Sequence, residues 1–265
     1  MVIITVALEL AQKNFVIKQT RMARINMNNE IELLESISAE FYQNGDIMDE
    51  LLVDREVSLI SRMVSNKSRA IEIGCGNGYS TERLVKVFDN LLVIEPSKKN
   101  IELMQNRIGK EIETCNALLE DFHTDEKFDN IIFLNVLEHV VDPVGALMKI
   151  ESLLSDDGQV FICVPNCMSL NRRAGYEMGL LESYDKFAPK DILVGHRRLY
   201  TVEMLAEHIE EANLVLDEMR GIYLKPLAES QMINLGMDAV KAFYLLGEDA
   251  PQYCANLFAV AKKKK

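Results

Sequence analysis

Residues 70–78 read AIEIGCGNG, an apolar run with one embedded acid that leads into three glycines at alternating positions. The helix-compatible segment 79–85 follows directly. A strand, a glycine-rich turn and a helix in this order are the layout of a nucleotide-binding crossover. Glycines suit the turn because the main chain must bend sharply after the strand and let a ligand approach with no Cβ in the way. The stretch therefore predicts an α/β fold whose ligand site is built largely from main chain.

The spacing of the glycines separates two kinds of nucleotide site. A dinucleotide fingerprint G-x-G-x-x-G starting at Gly74 would place its third glycine at position 79, which is Tyr79, whereas the third glycine is Gly78. The pattern E-x-G-x-G-x-G instead resembles the first motif of the class I S-adenosylmethionine-dependent methyltransferases. That resemblance implies S-adenosyl-L-methionine as cofactor and S-adenosyl-L-homocysteine as product. The cofactor-binding candidates in this motif are Glu72, Gly74, Cys75, Gly76 and Gly78.

A further cofactor candidate is Glu95, which ends the apolar run 91–94. It lies 19 positions beyond Gly76, about where a nucleotide-binding α/β fold places the carboxylate that accepts hydrogen bonds from the ribose hydroxyls. Pro96 follows it, and Ser97 is positioned to cap the next helix. We therefore expect the ribose of the cofactor at Glu95.

The family resemblance implies more contacts to the cofactor. In class I methyltransferases the segment after the third strand flanks the adenine, the fourth strand ends at the ligand-binding edge of the sheet, and amino-terminal helices often cap the cofactor. Ligands bind at the carboxyl edge of the strands in open α/β folds. The candidates implied in this way are Pro96, Asn116, Ala117, Leu118, Asn135, Val136 and Tyr42.

The most specific string in the chain is VLEHVVDP at residues 136–143. It resembles the ubiquinone O-methyltransferase-like branch of the class I family. Together with the glycine motif and Glu95 it extends the resemblance over residues 70–165, with the motifs in the expected order. The implied fold class is α/β: a doubly wound, mostly parallel seven-stranded sheet, Rossmann-like, with amino-terminal helices and an inserted lid.

The pattern of apolar runs predicts four parts of the chain. Two late strands, near 214–222 and 255–261, would complete the sheet, and the segment 226–250 between them has helical spacing. The segment 170–199 has no clean period and is expected to cover the substrate. The predicted parts are an amino-terminal helical cap (1–66), a cofactor-binding α/β core (67–167), a substrate or lid insertion (168–200) and a carboxyl-terminal completion of the sheet (201–265).

Two of the four histidines are candidate catalytic residues. Methyl transfer from a sulfonium is an in-line displacement that depends mainly on positioning, and a general base is needed only when the acceptor starts out protonated. His139 follows the fourth strand, and His196 lies in GHRRLYT at 195–201. The alternatives are that His139 holds the loop and that His196 belongs to a solvated basic turn.

Basic residues gather in the presumed acceptor region, although the chain has a formal net charge of −12. Arginine forks match carboxylates and phosphates, so we expect a small-molecule acceptor with an anionic group. The alternative is that the arginines pair with acids of the same segment, such as Glu177, Glu182 and Asp185. The candidate acceptor-binding residues are Arg172, Arg173, Arg197, Arg198 and Tyr200.

The composition and charge of the chain argue against several other classes of protein. The negative net charge argues against a broad nucleic-acid-binding face. No apolar run is long enough for a membrane span, and five scattered cysteines indicate reduced core thiols and a cytoplasmic location. No metal site is predicted because ligand spacing such as H-E-x-x-H is missing, although some quinone O-methyltransferases use a divalent ion. A homodimer is left open.

The sequence thus predicts an S-adenosylmethionine-dependent methyltransferase of a small molecule, with O-methylation favoured by the resemblance. The first alternative is N-methylation of an amine or a peptide terminus. Alternatives of another class are a nucleotide-binding oxidoreductase and a non-catalytic cofactor-binding protein. The glycine spacing favours the methyltransferase over the oxidoreductase.

Overall fold

A computed structural model describes residues 31–36 and 47–264. Its strands form one seven-stranded sheet in the order β3-β2-β1-β4-β5-β7-β6. The pairs among β1 to β5 are parallel, and β7 pairs antiparallel with both β5 and β6. The strands are β1 (Ala70–Ile73), β2 (Leu91–Ile94), β3 (Glu113–Cys115), β4 (Phe128–Leu134), β5 (Leu154–Pro165), β6 (Leu214–Ile222) and β7 (Asn256–Lys263).

Helices connect the strands and cover both faces of the sheet. Residues 31–36 are also helical. The helices from residue 47 onward are α1 (Ile47–Met63), α2 (Tyr79–Leu84), α3 (Lys98–Ile108), α4 (Pro143–Leu153), α5 (Leu170–Glu177), α6 (Pro189–Leu193), α7 (Val202–Glu211), α8 (Glu229–Asn234) and α9 (Met237–Leu246), and a 3-10 turn spans Pro251–Tyr253. The predicted doubly wound, mostly parallel seven-stranded sheet is confirmed.

Alternation along the buried strands explains the two hydrophobic layers. Ile131 and Phe133 of β4 pack in the layer that contains α4 and α7, whereas Ile132 and Leu134 pack in the layer that contains α1 and α9. Successive strand residues point to opposite faces, so a strand buried on both sides is apolar throughout. The sheet is therefore the centre of the core, and its carboxyl edge is left for ligands.

Side-chain caps fix where several helices start. Ser97 accepts a hydrogen bond from the Asn100 main-chain N at 3.2 Å, and Thr201 accepts one from Met204 N at 3.1 Å. Each cap satisfies a main-chain donor that has no partner within the helix. The Ser97 cap was expected from the sequence and is confirmed.

The structure gives the element boundaries in detail. Strand β5 begins at Leu154, which pairs with Phe128, and its register with β4 shifts before residue 159. Helix α2 ends at Leu84, one residue before the end of the helix-compatible segment 79–85. The segment without a clean period contains α5 and α6, and the expected helical segment 226–250 is divided into α8 and α9. The four-part division of the chain stays a prediction.

The helices found over residues 31–36 and 47–264 include none with the length and apolar character required to span a bilayer.

Candidate functional site

A cavity of about 810 Å³ lies at the carboxyl edge of the parallel strands. The loops that follow β1, β2, β4 and β5 line it, together with α1 and parts of the insertion 168–200. This is the edge at which open α/β sheets bind ligands, because each crossover leaves the strand end accessible there. One continuous cavity therefore joins the glycine turn to the residues that follow β4.

The glycine turn needs its glycines for two different reasons. Gly74 has φ +80°, and a Cβ on it would lie 2.6 Å from the Val136 side chain, so the turn can pass β4 only without a side chain. Gly78 has φ +82°, and its Cβ would lie 2.6 Å from Cα of Met104 on α3. Gly74, Cys75 and Gly76 line the cavity, whereas Gly78 does not. Gly78 thus permits close packing of α2 on α3 and is not a ligand contact in this geometry.

Glu95 lies at the end of β2 with its carboxylate held by the protein. Its oxygens accept hydrogen bonds from Cys75 N at 3.0 Å, Ser97 N at 2.9 Å and Asn100 Nδ2 at 3.2 Å. Burial raises the pKa of Glu95, and the hydrogen bonds from Ser97, Asn100 and Cys75 oppose that rise. Since Glu95 also lines the cavity, the carboxylate presents its remaining lone pairs to a ligand in a fixed orientation.

Glu72 does not occupy the predicted place. It does not line the cavity, and its carboxylate accepts hydrogen bonds from the hydroxyls of Ser80 and, at 2.7 Å, Thr81. Burial raises the pKa of Glu72 to about 7. Successive strand side chains point to opposite faces of the sheet, and that of Glu72 lies against α2, so the residue connects β1 to α2.

In the segment after β3, some predicted residues line the cavity and one holds a neighbouring loop. Ala117, Leu118 and Pro96 line the cavity. Asn116 does not line it: its Nδ2 donates to the carbonyl oxygens of Glu95 at 3.0 Å and Pro96 at 2.8 Å. Asn116 therefore holds the Glu95 loop in place.

Asn135, directly after β4, is fixed on both sides of its amide. It has a positive φ of 54°, its Nδ2 donates to Oε1 of Glu56 at 2.8 Å, and its Oδ1 accepts from Asn256 Nδ2 at 3.4 Å. Asn135 and Val136 both line the cavity. The amide links α1, β4 and β7 at the cavity wall. Tyr42, the remaining cofactor candidate, lies outside the described residues.

The two predicted catalytic histidines lie together. Their ring centroids are 4.9 Å apart, and both line the cavity. Nδ1 of His196 is 3.0 Å from Oδ1 of Asp191, and Nε2 of His196 is 3.8 Å from Oε1 of Glu138. Because a carboxylate only accepts, Asp191 selects the tautomer with the proton on Nδ1 and leaves the Nε2 lone pair free. This is the arrangement of an oriented general base.

Burial shifts the pKa values of the ionisable groups in the histidine cluster. Burial lowers the pKa of His139 to about 3, so its ring is neutral near pH 7. Burial raises the pKa of Glu138 to about 7, against the opposing effect of His196 and Arg198. Burial also acts upward on the pKa of Asp191, but the hydrogen bonds from His196 and the Ala188 N hold it below its usual value. Asp191 is therefore the carboxylate that stays charged beside His196.

The structure also reveals a potential metal site that motif spacing did not predict. One ligand atom from each of Glu138, His139 and His196 lies within 4.8 Å of the others. Carboxylate and imidazole groups in such a set could hold a divalent cation. The sequence missed it because His196 is distant in the chain and is brought to the cluster by the insertion.

The predicted acceptor-binding arginines are mostly structural. Arg198 donates to the carbonyl oxygens of Leu137 at 2.9 Å and Val140 at 2.6 Å, and Arg197 donates to that of His139 at 2.7 Å. Neither lines the cavity. They support the loop after β4, since a guanidinium offers five donors that match several carbonyls at once.

Of the other three candidate acceptor-binding residues, two do not line the cavity and one does. Arg173 donates to the Met168 carbonyl at 2.9 Å and does not line the cavity. Tyr200 is fully buried in the core and does not line it either. Arg172 alone of these candidates lines the cavity; it donates to main-chain carbonyls of the insertion and lies 3.6 Å from Asp191.

A cation that was not among the predicted contacts, Lys225, lines the cavity after β6. Its Nζ lies 4.0 Å from Glu229 and 5.8 Å from the centre of the Tyr223 ring. Burial lowers the pKa of Lys225, although Glu229 opposes the shift. Desolvation disfavours the charged amine, so an anion beside it would be stabilising.

Unsatisfied polar atoms concentrate at the cavity. Six buried side-chain atoms in the described part of the chain lack a hydrogen-bond partner. Buried polar groups are normally paired, so atoms of this kind around one cavity indicate a site that pairs them with a ligand. Five of the six belong to cavity-lining residues: Glu56 Oε2, Asn100 Oδ1, Glu138 Oε2, Asn171 Oδ1 and Tyr223 Oη.

Most of these atoms are acceptors, so a ligand that brings hydroxyl or amino donors fits. S-adenosylmethionine carries such donors on its ribose, its adenine and its methionine portion, and the carboxylate of Glu95 and Oδ1 of Asn100 lie at the end of the cavity where its ribose is expected. The residues present therefore fit the cofactor.

Comparisons with known proteins place the chain in a family. A family model described as "Methyltransferase domain" matches residues 46–219. The ubiquinone biosynthesis O-methyltransferase of Actinobacillus pleuropneumoniae serotype 7 is 27% identical over 178 residues, which cover 63% of this chain and 74% of that protein. The protein of the same name from Rhodopseudomonas palustris (strain TIE-1) is 26% identical over 200 residues, 69% of this chain and 72% of its own.

The fold agrees with these relatives. The crystal structure of the N-methyltransferase NodS from Bradyrhizobium japonicum WM9 in complex with S-adenosyl-L-homocysteine has a TM-score of 0.56 and 18% identity, covering 88% of this chain and 99% of that chain. At this identity the likeness establishes the fold alone. The family match, however, spans more than half of the 265 residues. The chain therefore belongs to the methyltransferase-domain family and is an S-adenosylmethionine-dependent methyltransferase.

Proposed function

We propose that the protein methylates an oxygen atom of a small-molecule acceptor that carries an anionic group. One observation carries the proposal: a single cavity of about 810 Å³ extends from the glycine turn and Glu95 to the cluster of Glu138, His139 and His196. A cofactor held at one end would thus share an enclosed space with an acceptor at the other. The name of the relatives, O-methyltransferase, supports oxygen as the methylated atom.

The first end of the cavity would hold the cofactor. Glu95 would accept hydrogen bonds from the ribose hydroxyls, and the turn at Gly74 and Gly76 would contact the methionine portion with main-chain atoms. The remaining predicted cofactor contacts that line the cavity are Cys75, Pro96, Ala117, Leu118, Asn135 and Val136. When bound, S-adenosylmethionine supplies an electrophilic methyl group. The chain's part is to orient it and to exclude water.

The second end would activate the acceptor. A hydroxyl hydrogen-bonded to Nε2 of His196 would lose its proton to that nitrogen as the oxygen attacks. Asp191, 3.0 Å from Nδ1, would stabilise the imidazolium that forms, as the carboxylate does in a hydrolase triad. His139 is held neutral and would orient the acceptor rather than take its proton.

The anionic group of the acceptor would meet Lys225, with Arg172 nearby. Both line the cavity, and the Lys225 side chain is four-fifths buried with its acid partner no closer than 4.0 Å. A carboxylate or phosphate would stabilise the charged amine there. This replaces the predicted set of four arginines by one arginine and one lysine.

The test uses purified protein and two measurements. Calorimetry with S-adenosyl-L-homocysteine is expected to give binding, and a small-molecule extract of the native host is expected to accept tritium from S-adenosyl-L-[methyl-³H]methionine. Mass spectrometry and NMR of the labelled product identify the methylated atom. Label only in macromolecules would contradict the proposal of a small acceptor, and label on nitrogen would replace O-methylation by N-methylation.

A divalent cation at Glu138, His139 and His196 is a second way to activate the acceptor, because a metal lowers the pKa of a bound hydroxyl. Dialysis against EDTA separates the two. Under the proposal, activity persists after chelation; activity that is lost and restored by a divalent ion would assign the cluster to a metal. The predicted cytoplasmic location and the homodimer remain untested predictions.

A further inference from the structure

Glu56 is an acid on the apolar side of α1. It is spaced four residues from both Leu52 and Ile60, on the stripe that packs toward the sheet, and none of its surface is exposed to solvent. A carboxyl group in that position costs free energy unless all its atoms are paired. The apolar neighbours are the signal in the sequence that marks this acid as unusual.

Only half of the Glu56 carboxyl group is paired. Oε1 accepts the hydrogen bond from Asn135 Nδ2 at 2.8 Å, whereas Oε2 is buried without a hydrogen-bond partner among the described residues. Glu56 also lines the cavity. Oε2 is therefore a hydrogen-bond acceptor at the cavity wall. Apart from the Cys163 thiol beside the carboxyl group, a weak donor, the described part of the chain offers it no partner.

The position of Glu56 assigns it to the acceptor end of the cavity. Its partner Asn135 follows β4 and is bonded in turn to Asn256 at the start of β7. Asn256 begins β7, which lies two strands beyond β4 and away from β2, the strand that Glu95 follows. Glu138 of the histidine cluster also acts electrostatically on Glu56, which supports a place for Glu56 toward that cluster.

The largest influences on the pKa of Glu56 from the described residues include no positive charge. Burial raises its pKa to about 7; the Cys163 thiol and the Asn135 amide lower it, and Glu138 and Asp49 raise it. Burial raises the pKa of the Tyr244 hydroxyl, and the charge of Glu56 adds to that rise. A ligand that donates a hydrogen bond would relieve both the desolvation and the repulsion between these acids.

We propose that Glu56 binds the methyl acceptor, with Oε2 accepting a hydrogen bond from a hydroxyl or ammonium group of that molecule. The inference rests on the proposed function and extends it. The methyl acceptor then carries two recognised features: a hydrogen-bond donor at Glu56 and an anionic group at Lys225.

A purely structural role makes a different prediction. If Glu56 serves only to hold Asn135, glutamine replaces it without loss, because the amide oxygen of glutamine accepts the Asn135 bond equally well. If Oε2 binds the methyl acceptor, Glu56→Gln puts an NH₂ group where an oxygen that accepts hydrogen bonds had been. Two hydrogen-bond donors then face each other, and binding is weakened. The single substitution therefore separates the two roles.

The experiment compares wild type, Glu56→Gln and Asp54→Asn. Asp54, on the same helix, is exposed and outside the cavity, so its change from acid to amide is the matched control. The probe is the small-molecule extract of the native host, and the label is tritium from the methyl donor. For Glu56→Gln we expect the extract concentration at half-maximal rate to rise about tenfold or more. The affinity for S-adenosyl-L-homocysteine is expected to stay within about twofold of wild type.

Each other outcome decides against the inference. An unchanged half-maximal concentration in Glu56→Gln would leave only the structural role. A parallel loss of S-adenosyl-L-homocysteine affinity would assign Glu56 to the cofactor. No label transfer by wild type would remove the proposed function itself, and with it this extension. Identification of the labelled product shows whether the donor is a hydroxyl or an ammonium group.

Discussion

The two ends of the cavity are built in different ways. At the cofactor end, a short stretch of main chain and one carboxylate, Glu95, are held by neighbours no more than 20 residues away in the sequence. At the acceptor end, side chains from α1, the loop after β4, the insertion and the segment after β6 meet, and several of their polar atoms are unpaired. A cofactor of constant shape needs only a fixed backbone, whereas a particular acceptor needs side chains gathered from distant parts of the chain.

The largest effect should appear at the acceptor end. Replacing His196 by alanine removes the proposed base, and loss of general-base catalysis costs on the order of a hundredfold or more in kcat. Affinity for S-adenosyl-L-homocysteine should stay unchanged, because His196 is not at the cofactor end. Steady-state kinetics and calorimetry measure the two. The control is His123→Ala, which removes an exposed histidine; an equal loss in both variants would break the contrast between the ends.

A second comparison sets the buried acid Glu72 against the exposed acid Glu113. Glu72 has both oxygens bonded by hydroxyls, and its pKa is raised by burial from 4.5 to about 7. Its protonation stabilises the folded state fully below about pH 4.5, and this contribution is lost as pH rises through 7. In Glu72→Gln that loss is absent. The stability of Glu72→Gln relative to wild type should therefore rise by about 3 kcal/mol between pH 4.5 and 8.

Urea unfolding at several pH values checks the Glu72 prediction. The exposed Glu113→Gln on β3 is the control and should show no such trend. A relative stability that falls with pH in Glu72→Gln would mean that the carboxylate is the stabilised form.

At the cofactor end, Glu95→Ala should weaken S-adenosyl-L-homocysteine binding about a hundredfold. The substitution removes the proposed ribose acceptor and leaves Cys75 N and Ser97 N without partners, and hydrogen bonds to a charged group are worth about 1.5–3 kcal/mol each. Calorimetry measures the dissociation constant. A variant with wild-type affinity would show that the glycine turn alone holds the cofactor.

The smallest effect tests how tightly the turn is packed. Gly78 and Gly109 both have positive φ, but a Cβ at Gly78 meets Met104 at 2.6 Å while nothing lies within 4 Å of one at Gly109. The left-handed conformation alone costs about 1–2 kcal/mol for alanine. Gly109→Ala should lose that amount, and Gly78→Ala at least about 1 kcal/mol more. Equal midpoints in thermal unfolding would mean that α2 and α3 move apart at little cost.

Motif reasoning predicted most of the residues that line the proposed cofactor end, but Glu72, Gly78 and Asn116 do not line the cavity. Gly74, Cys75, Gly76 and Glu95 line the cavity as predicted, because strand, turn and helix are set by local sequence. Glu72 and Asn116 were assigned by position in the motif, and the direction of their side chains turns them into supports. The direction of a side chain depends on tertiary packing, which the motif does not encode.

The acceptor end could not be read in the same way. The arginines at 197 and 198 stand in a basic string, yet they bond to main-chain carbonyls of the loop after β4. Lys225 and Glu56, which were not predicted as contacts, line the cavity. Charge in a segment predicts that partners exist, but the fold determines whether those partners belong to the ligand or to the protein.

By itself, then, the amino-acid sequence determined the layered sheet, the glycine turn and the acid at the end of β2, because periodicity and backbone freedom act over a few residues. Only the tertiary structure decided which side chains share the cavity. It brought His196 to Asp191 and Glu138, and placed Glu56 beside Asn135. Contacts between positions far apart in the chain depend on how the helices and the insertion pack on the sheet, and no local pattern encodes that arrangement.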